Sequence, residues 1–160
     1  MPSMTDPSTA MLSFQKALLA RRLRLEKGRV TLSVHFHMDQ AAGKGRFTYV
    51  QLDGQTVVAF ATFVQNGYFN DRPNFAAGYA VPEAYRNQGR AKSIFRAGVA
   101  ELQNGFRGHP PFYVEAVVSV SNRASLKVAE AVLGGKPEAL NDELSGEPAL
   151  RYAHLFETVS

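Results

Sequence analysis

The sequence predicts an α+β domain in which helices cover both faces of a mixed, strongly twisted sheet. Three observations carry that expectation. Short runs of alternating apolar and polar residues recur through the first half of the chain and again at its end. Stretches of helical period separate the later strand runs. The resulting order is helix, three antiparallel-type strands, strand, helix, strand, helix, strand.

Composition limits the function classes. A chain of 160 residues, 45% hydrophobic and 20% charged, has the size and balance of one globular domain with a buried core. We expect a flexible polar N-terminus over 1–9, then a single domain over 10–160. With no cysteine, a disulfide framework, a thiolate nucleophile and cysteine zinc sites are excluded, and no metal site is expected. No apolar run reaches the roughly 18 residues a bilayer requires, and the N-terminus lacks the basic and apolar regions of a signal peptide. The expected compartment is the cytoplasm. A net charge of +4 suits an anionic small molecule as well as nucleic acid or an anionic surface.

The elements follow in order. Met11, Phe14, Leu18 and Leu25 recur at helical spacing, so a helix is expected from Thr9 to Lys27, capped by Ser8 or Thr9 and stopped by Gly28. Its other side carries Lys16, Arg21, Arg22, Arg24 and Lys27, a solvated face or, as the weaker reading, a surface for RNA. Arg29 to Met38 alternates as a half-buried strand, with His35 and His37 on its polar face. Residues 40–45 read as a loop. Strands are expected over Arg46–Leu52 and Thr56–Val64, joined by Asp53-Gly54 in a type I′ turn. Residues 65–74 read as a loop with exposed Tyr68 and Phe69. Phe75–Val81 is a strand of small residues, Ala91–Asn104 a helix with Ile94, Phe95, Val99 and Leu102 inward, and Phe112–Val120 a strand. A helix follows to Gly134-Gly135, then a polar loop over 136–148, and a last strand over Ala149–Phe156.

The chemistry concentrates in Ala77 to Ser93. A strand leads through Pro82 into a loop carrying Gly89 and then directly into a helix. The first amides of a helix lack partners within it and sit at the positive end of its dipole. A glycine beside them lets a phosphate approach closely, and Arg86, Arg90 and Lys92 add positive charge. The stretch reads as an anion site, most simply for a pyrophosphate. Neither the P-loop nor the dinucleotide-binding glycine pattern is present.

The spacing Arg86-x-x-Gly89-x-Ala91 resembles the acyl-CoA pyrophosphate loop of the GNAT superfamily of N-acyltransferases. A second stretch strengthens the resemblance: the strand Phe112–Val120, then Asn122-x-x-Ser125, then a helix ending in glycine. Together these motifs span about residues 75–135. The resemblance implies a GNAT-like twisted, mostly antiparallel sheet, with the fourth and fifth strands splayed apart. It implies acetyl-CoA as acyl donor, its pantetheine along the backbone of Tyr79, Ala80 and Val81. The pyrophosphate would lie on Arg86, Asn87, Gln88, Gly89, Arg90, Ala91 and Lys92, and Asn122 and Ser125 would flank the pantetheine arm. It also implies acetyl transfer to a primary amine of a small molecule or a protein N-terminus, with the Val81 amide facing the oxyanion.

Two positions depart from the family pattern. Ala129 stands where many members carry a tyrosine acid, and Val117 where some carry a glutamate base. Glu115, one pleat away on the same strand face, becomes the first candidate base, and Asn122 completes the catalytic pair. His35, His37, Asp71, Tyr113 and Tyr152 are reserves, and a water chain without a dedicated base is open. The departures motivate the alternative of a catalytically silent acyl-CoA-binding module. A basic nucleic-acid-binding domain is weaker still, since no reader motif is present. No membrane partner is expected, and edge pairing through Ala149–Phe156 is one route to a homodimer.

Overall fold

The computed structural model describes residues 6–143 and 145–160. Residues 1–5 of the expected flexible N-terminus lie outside the described residues.

Helix α1 (Pro7–Leu19) begins two residues before the expected start. Asp6 is its N-cap, accepting from the Thr9 amide at 3.2 Å, and Pro7 takes the first position, where a missing N–H costs nothing. The helix also stops eight residues early. Arg21 adopts φ +57°, its amide reaches the Leu18 carbonyl, and the Arg22 amide reaches Ala17. That is a Schellman ending with arginine where glycine is usual, which hid the stop from sequence. The expected stop, Gly28, has another task. Its amide donates to the Val34 carbonyl at 2.7 Å, and a Cβ there would lie 2.4 Å from the Thr31 carbonyl oxygen.

Strand β1 (Glu26–Lys27) is only a short edge. The expected strand start at Arg29 is also corrected, since β2 (Val34–Ala41) begins five residues later. The reason is Glu101. Its buried carboxylate accepts from the amides of Arg29 at 2.7 Å, Val30 at 2.7 Å and Thr31 at 2.8 Å. Three successive amides satisfied by one side chain cannot also serve a ladder, so Val30 and Leu32 lie exposed on a loop.

Three hairpins follow. β2 meets β3 (Lys44–Asp53) through Ala42 and Gly43, both at positive φ. β3 meets β4 (Thr56–Phe69) through Gly54 and Gln55. Only Gly54 has positive φ, the signature of a type II′ turn rather than the expected I′. β4 continues five residues past Val64 and meets β5 (Arg72–Ala80) through Asn70 and Asp71, at φ +47° and +63°. Most of the expected loop over 65–74 is therefore hairpin. Asn and Asp are the non-glycine residues that best tolerate this conformation.

The remaining elements are α2 (Arg90–Gly105), β6 (Phe112–Ser119), α3 (Arg123–Val132), β7 (Glu138–Asn141) and β8 (Pro148–Phe156). β7 falls in the expected polar loop, where nothing in its short, exposed sequence marks a strand. The sheet runs β1-β2-β3-β4-β5-β6-β8-β7, and among the described residues β5–β6 is its one parallel pair. β8 pairs with β6 along Ala149–Phe156 and with β7 only over Pro148–Arg151, so the expected dimer edge is covered at Ala149–Arg151 and has no β7 partner from Tyr152 onward.

Helices cover both faces, as expected. Met11, Phe14 and Leu18 of α1 pack with Val50, Val57, Phe60 and Ala80. On the opposite face, Ile94, Phe95, Val99 and Leu102 of α2 pack against Tyr49, Phe63, Phe75 and Tyr79. Gly98 permits that approach, since a Cβ there would stand 2.5 Å from the Phe63 ring.

Removing the Glu101 acceptor should cost far more than an ordinary surface change. Glu101→Leu strands three amides, and we expect unfolding free energy to fall by about 2–4 kcal/mol. Urea denaturation checks this; a loss within half a kcal/mol would show that water replaces the carboxylate freely.

Candidate functional site

β5 and β6 hold together over only three steps, Asn74, Phe75 and Ala76 against Tyr113, Val114 and Glu115. Beyond them Ala77–Ala80 pairs with β4 alone and Ala116–Ser119 with β8 alone. A gap opens at mid-sheet, and every second residue along each wall turns its backbone N–H and C=O toward it. Tyr79 braces one side. Its ring lies 5.0 Å from Phe95, and its hydroxyl donates to the Ser125 carbonyl in the first turn of α3 at 2.6 Å. Burial raises the Tyr79 pKa well above the usual tyrosine range, with a smaller contribution from Tyr152.

The gap ends at the loop after β5. A single 3-10 turn over Glu83–Tyr85 follows Pro82. Asn87 at φ +62° and Gly89 at φ +73° then turn the chain into α2. Gly89 is the N-cap and has no side chain to offer, and no acidic residue occupies the first turn. Among the described residues, the amides of 87–92 have no acceptor. An uncompensated helix start with a run of free amides is suited to an anion.

The predicted cations differ in their tasks. Arg86 turns back, its Nε donating to the Val81 carbonyl at 3.0 Å, and so braces the loop. Arg90 donates to Gln88 at 3.1 Å, with its guanidinium carbon 5.4 Å from the Tyr85 ring centre. Lys92 is exposed and, with Thr31, Gly89, Ser93 and Arg96, lines a surface depression beside the loop. Asn122 caps α3, its Oδ1 accepting from the Ser125 amide at 3.1 Å. The structure thus links Tyr79 to Ser125 and, through the cap, Ser125 to Asn122, and ties the loop at Arg86 back to Val81; Ala80 packs instead on the α1 side of the sheet. Ala129 is fully buried in α3, while Val117 is exposed on β6.

Glu115 sits at the last paired step beneath the gap. It is 7% exposed. Its Oε2 pairs with Arg151 on β8, and its Oε1 accepts from Asn66 at 2.7 Å and Asn74 at 2.8 Å. A base must keep a lone pair open to an incoming proton, and these three donors occupy most of this carboxylate. The reserve residues scatter. His35 and His37 lie on β2, Asp71 in a hairpin turn, and Tyr152 in the core on the α2–α3 face. Tyr113 approaches the cluster, with its hydroxyl 3.4 Å from Asn70. Sequence reading missed Asn66, Asn74 and Arg151. A carboxylate inside a strand run signals a buried partner, but which strands flank β6 is a tertiary fact.

Comparison with known proteins bears on the fold. No family model and no curated protein matches the sequence. Among solved structures, the chain is similar to Mycobacterium smegmatis RimJ in complex with CoA-disulfide, at 20% identity and TM-score 0.56, covering 71% of this chain and 54% of that one. It is similar to RimL, a ribosomal L7/L12 alpha-N-protein acetyltransferase in complex with coenzyme A, at 19% identity and TM-score 0.54, covering 70% and 63%. Spermidine N-acetyltransferase SpeG from Vibrio cholerae aligns at 13% identity and TM-score 0.55, covering 72% and 66%. The chain has the GNAT fold, and it spans about half to two thirds of the length of these structures.

Two measurements test the electrostatics of this region. Arg151→Met leaves the Glu115 charge buried without its cation and should cost about 3–5 kcal/mol. The double variant Glu115→Gln/Arg151→Met should recover part of that loss; equal destabilisation of the two would show that the pair does not act through charge. The tyrosines give a pH dependence. The Tyr49 pKa is also raised, first by burial and then by the Glu101 charge. Each phenol stays protonated in the fold, so its stabilising effect is complete below pH about 10 and is lost as pH rises beyond it. Stability should decline above that pH, and Tyr79→Phe should flatten the slope by about 1.4 kcal/mol per pH unit. An unchanged slope in alkaline denaturation would contradict the burial argument.

Proposed function

We propose that residues 10–160 form one acyl-CoA-dependent N-acetyltransferase domain that moves an acetyl group from acetyl-CoA to a primary amine, on a small molecule or a protein N-terminus. The observation that carries this reading is a strand gap that leads directly to an α2 start with unpartnered amides. An extended pantetheine fits beside backbone that lacks a strand partner, along Tyr79–Val81. A pyrophosphate fits the amides of Asn87–Lys92, where Gly89 leaves open space in front of the helix. Likeness to acetyltransferases of known structure supports the donor, and the acceptor rests on chemistry alone.

Acyl transfer requires a free-base amine, a donor for the tetrahedral oxyanion and a leaving thiolate. The Val81 amide stands where the strand leaves the sheet, and we assign it the oxyanion. Arg86 supports it by fixing the Val81 carbonyl, which orients the adjoining backbone. Glu115 is nearest the gap, but its oxygens are engaged, so the amine proton passes to water and Glu115 organises the wall. Asn122 sets the start of α3 beside the donor. The fully buried Ala129 offers no proton to the thiolate, a moderately basic leaving group that departs without one.

A second reading is favoured by the same residues. An engaged Glu115 and an alanine at 129 suit a module that binds acyl-CoA without turnover. Titration of acetyl-CoA by calorimetry, followed by a broad amine panel, separates the readings. We expect affinity on the order of micromolar in the wild type. In Gly89→Asp the new carboxylate faces the phosphates, and affinity should fall at least about tenfold. Gly89→Asn, which tolerates positive φ without adding charge, should lose less. No binding by the wild type would sink the donor reading; binding without turnover would select the silent module.

A further inference from the structure

Helix α2 turns its one carboxylate inward. Glu101 is 7% exposed and accepts the amides of Arg29, Val30 and Thr31, so the outer side of the helix carries no negative charge. That side presents Lys92 and Arg96, one turn apart, and Arg107 follows the helix end; all three are exposed. Among the described residues neither they nor the exposed Arg29 has a carboxylate partner. Arg96 is steadied by a bond from Nη2 to the Ala131 carbonyl of α3 at 3.3 Å.

The same three bonds pin the loop beside α2. On it Val30 is 52% exposed and Leu32 72%. Singly, an exposed apolar side chain is ordinary. Two of them on a fixed backbone, next to uncompensated arginines, have the composition of a docking surface. Between loop and helix a depression runs along α2 from Gly89 to Ala100, lined by Thr31, Ser93 and Ala97 with Lys92 and Arg96. It begins at Gly89, which also opens the anion site, so a partner lying along it reaches the phosphate loop.

The chemistry of the face selects among partners. A second copy docked about a twofold axis would set these cations against themselves. Single-stranded nucleic acid stacks on exposed aromatic rings, and the apolar residues here are aliphatic. A bilayer is flat and would leave the depression unfilled. An acidic helix with apolar side chains matches both the charge and the shape. Placed at Gly89, it matches the donor slot as well if it carries a phosphate-linked pantetheine.

We propose that the outer face of α2, with Val30 and Leu32, docks an acidic acyl carrier protein, whose acyl-4′-phosphopantetheine arm enters the strand gap as a second acyl donor. The single phosphate of the arm takes the Gly89 amides, and the carrier helix lies where the depression continues. The amine nitrogen forms the new amide bond, the thioester C–S bond breaks, the carrier thiolate leaves and the amine proton passes to water. The inference deepens the acetyltransferase reading and rests on it for the transfer; the docking stands on the cationic face and the pinned apolar loop.

Calorimetry on the full chain tests this, with acetyl-CoA and an acetylated type II acyl carrier protein as probes. We expect the wild type to bind the carrier, and added salt to weaken it by screening. The double variants Val30→Ser/Leu32→Ser and Arg29→Glu/Arg96→Glu should each weaken the carrier at least about tenfold and leave acetyl-CoA within about twofold. The loop is held through backbone amides, so the serine variant keeps its fold and decides alone if the charge reversal does not. No carrier binding by the wild type would overturn the proposal, as would carrier affinity unchanged in the serine variant. Transfer RNA or phosphatidylglycerol vesicles bound in place of the carrier, and lost in the same variants, would overturn it in favour of those partners. Carrier bound without acetyl-CoA binding would uphold the docking face and reject the acetyl-CoA donor; acetyl-CoA bound without the carrier would do the reverse.

Discussion

The structure depends on two neighbouring strands that hold together at one end and part at the other. β5 and β6 share three paired steps and then diverge toward different partners, β4 on one side and β8 on the other. A parallel pair is the weaker kind of ladder, and here it is buttressed at its last step by the Glu115–Arg151 ion pair and two asparagines. Without that buttress the gap would have no fixed lower end. With it, the facing edges of β5 and β6 above are left without a strand partner across the gap.

The same division organises the charges. At the upper end, free amides and a helix start create positive potential without a neutralising side chain. At the lower end, a carboxylate is neutralised by arginine and held by amides. The two ends of the gap therefore differ in electrostatic character, the upper one suited to an anion. Glu101 makes a related use of a buried carboxylate elsewhere in the fold. It gathers the amides of Arg29–Thr31 and ties the loop after β1 to α2.

How much of this was legible depended on whether a feature is local. The Gly89 loop, the Asn122 cap and the inward face of α2 rest on contacts within a few residues, and they stand where the pattern places them. Arg21 ending α1 and the Asn70-Asp71 turn are local too, but they use non-glycine residues at positive φ, which pattern reading discounts. The loop at Arg29–Ser33 alternates like a strand and was misread because its amides bond to Glu101, about seventy residues away.

By itself the sequence determined the order of the longer helices and strands, though not the short β1 and β7, the loop-to-helix turn at Gly89 and the resemblance those motifs carry, because each is written in short-range spacing. Only the tertiary structure decided that β8 lies inside the sheet, that Arg151 meets Glu115, and that Asn66 and Asn74 close around the same carboxylate. Strand adjacency is set by the packing of the whole core, and no residue's neighbours along the chain reveal its neighbours across a sheet. For the same reason Asn74 reads in sequence as an ordinary polar residue at the end of a loop. Its unpaired buried oxygen exists only once four strands and a hairpin tip are assembled around it.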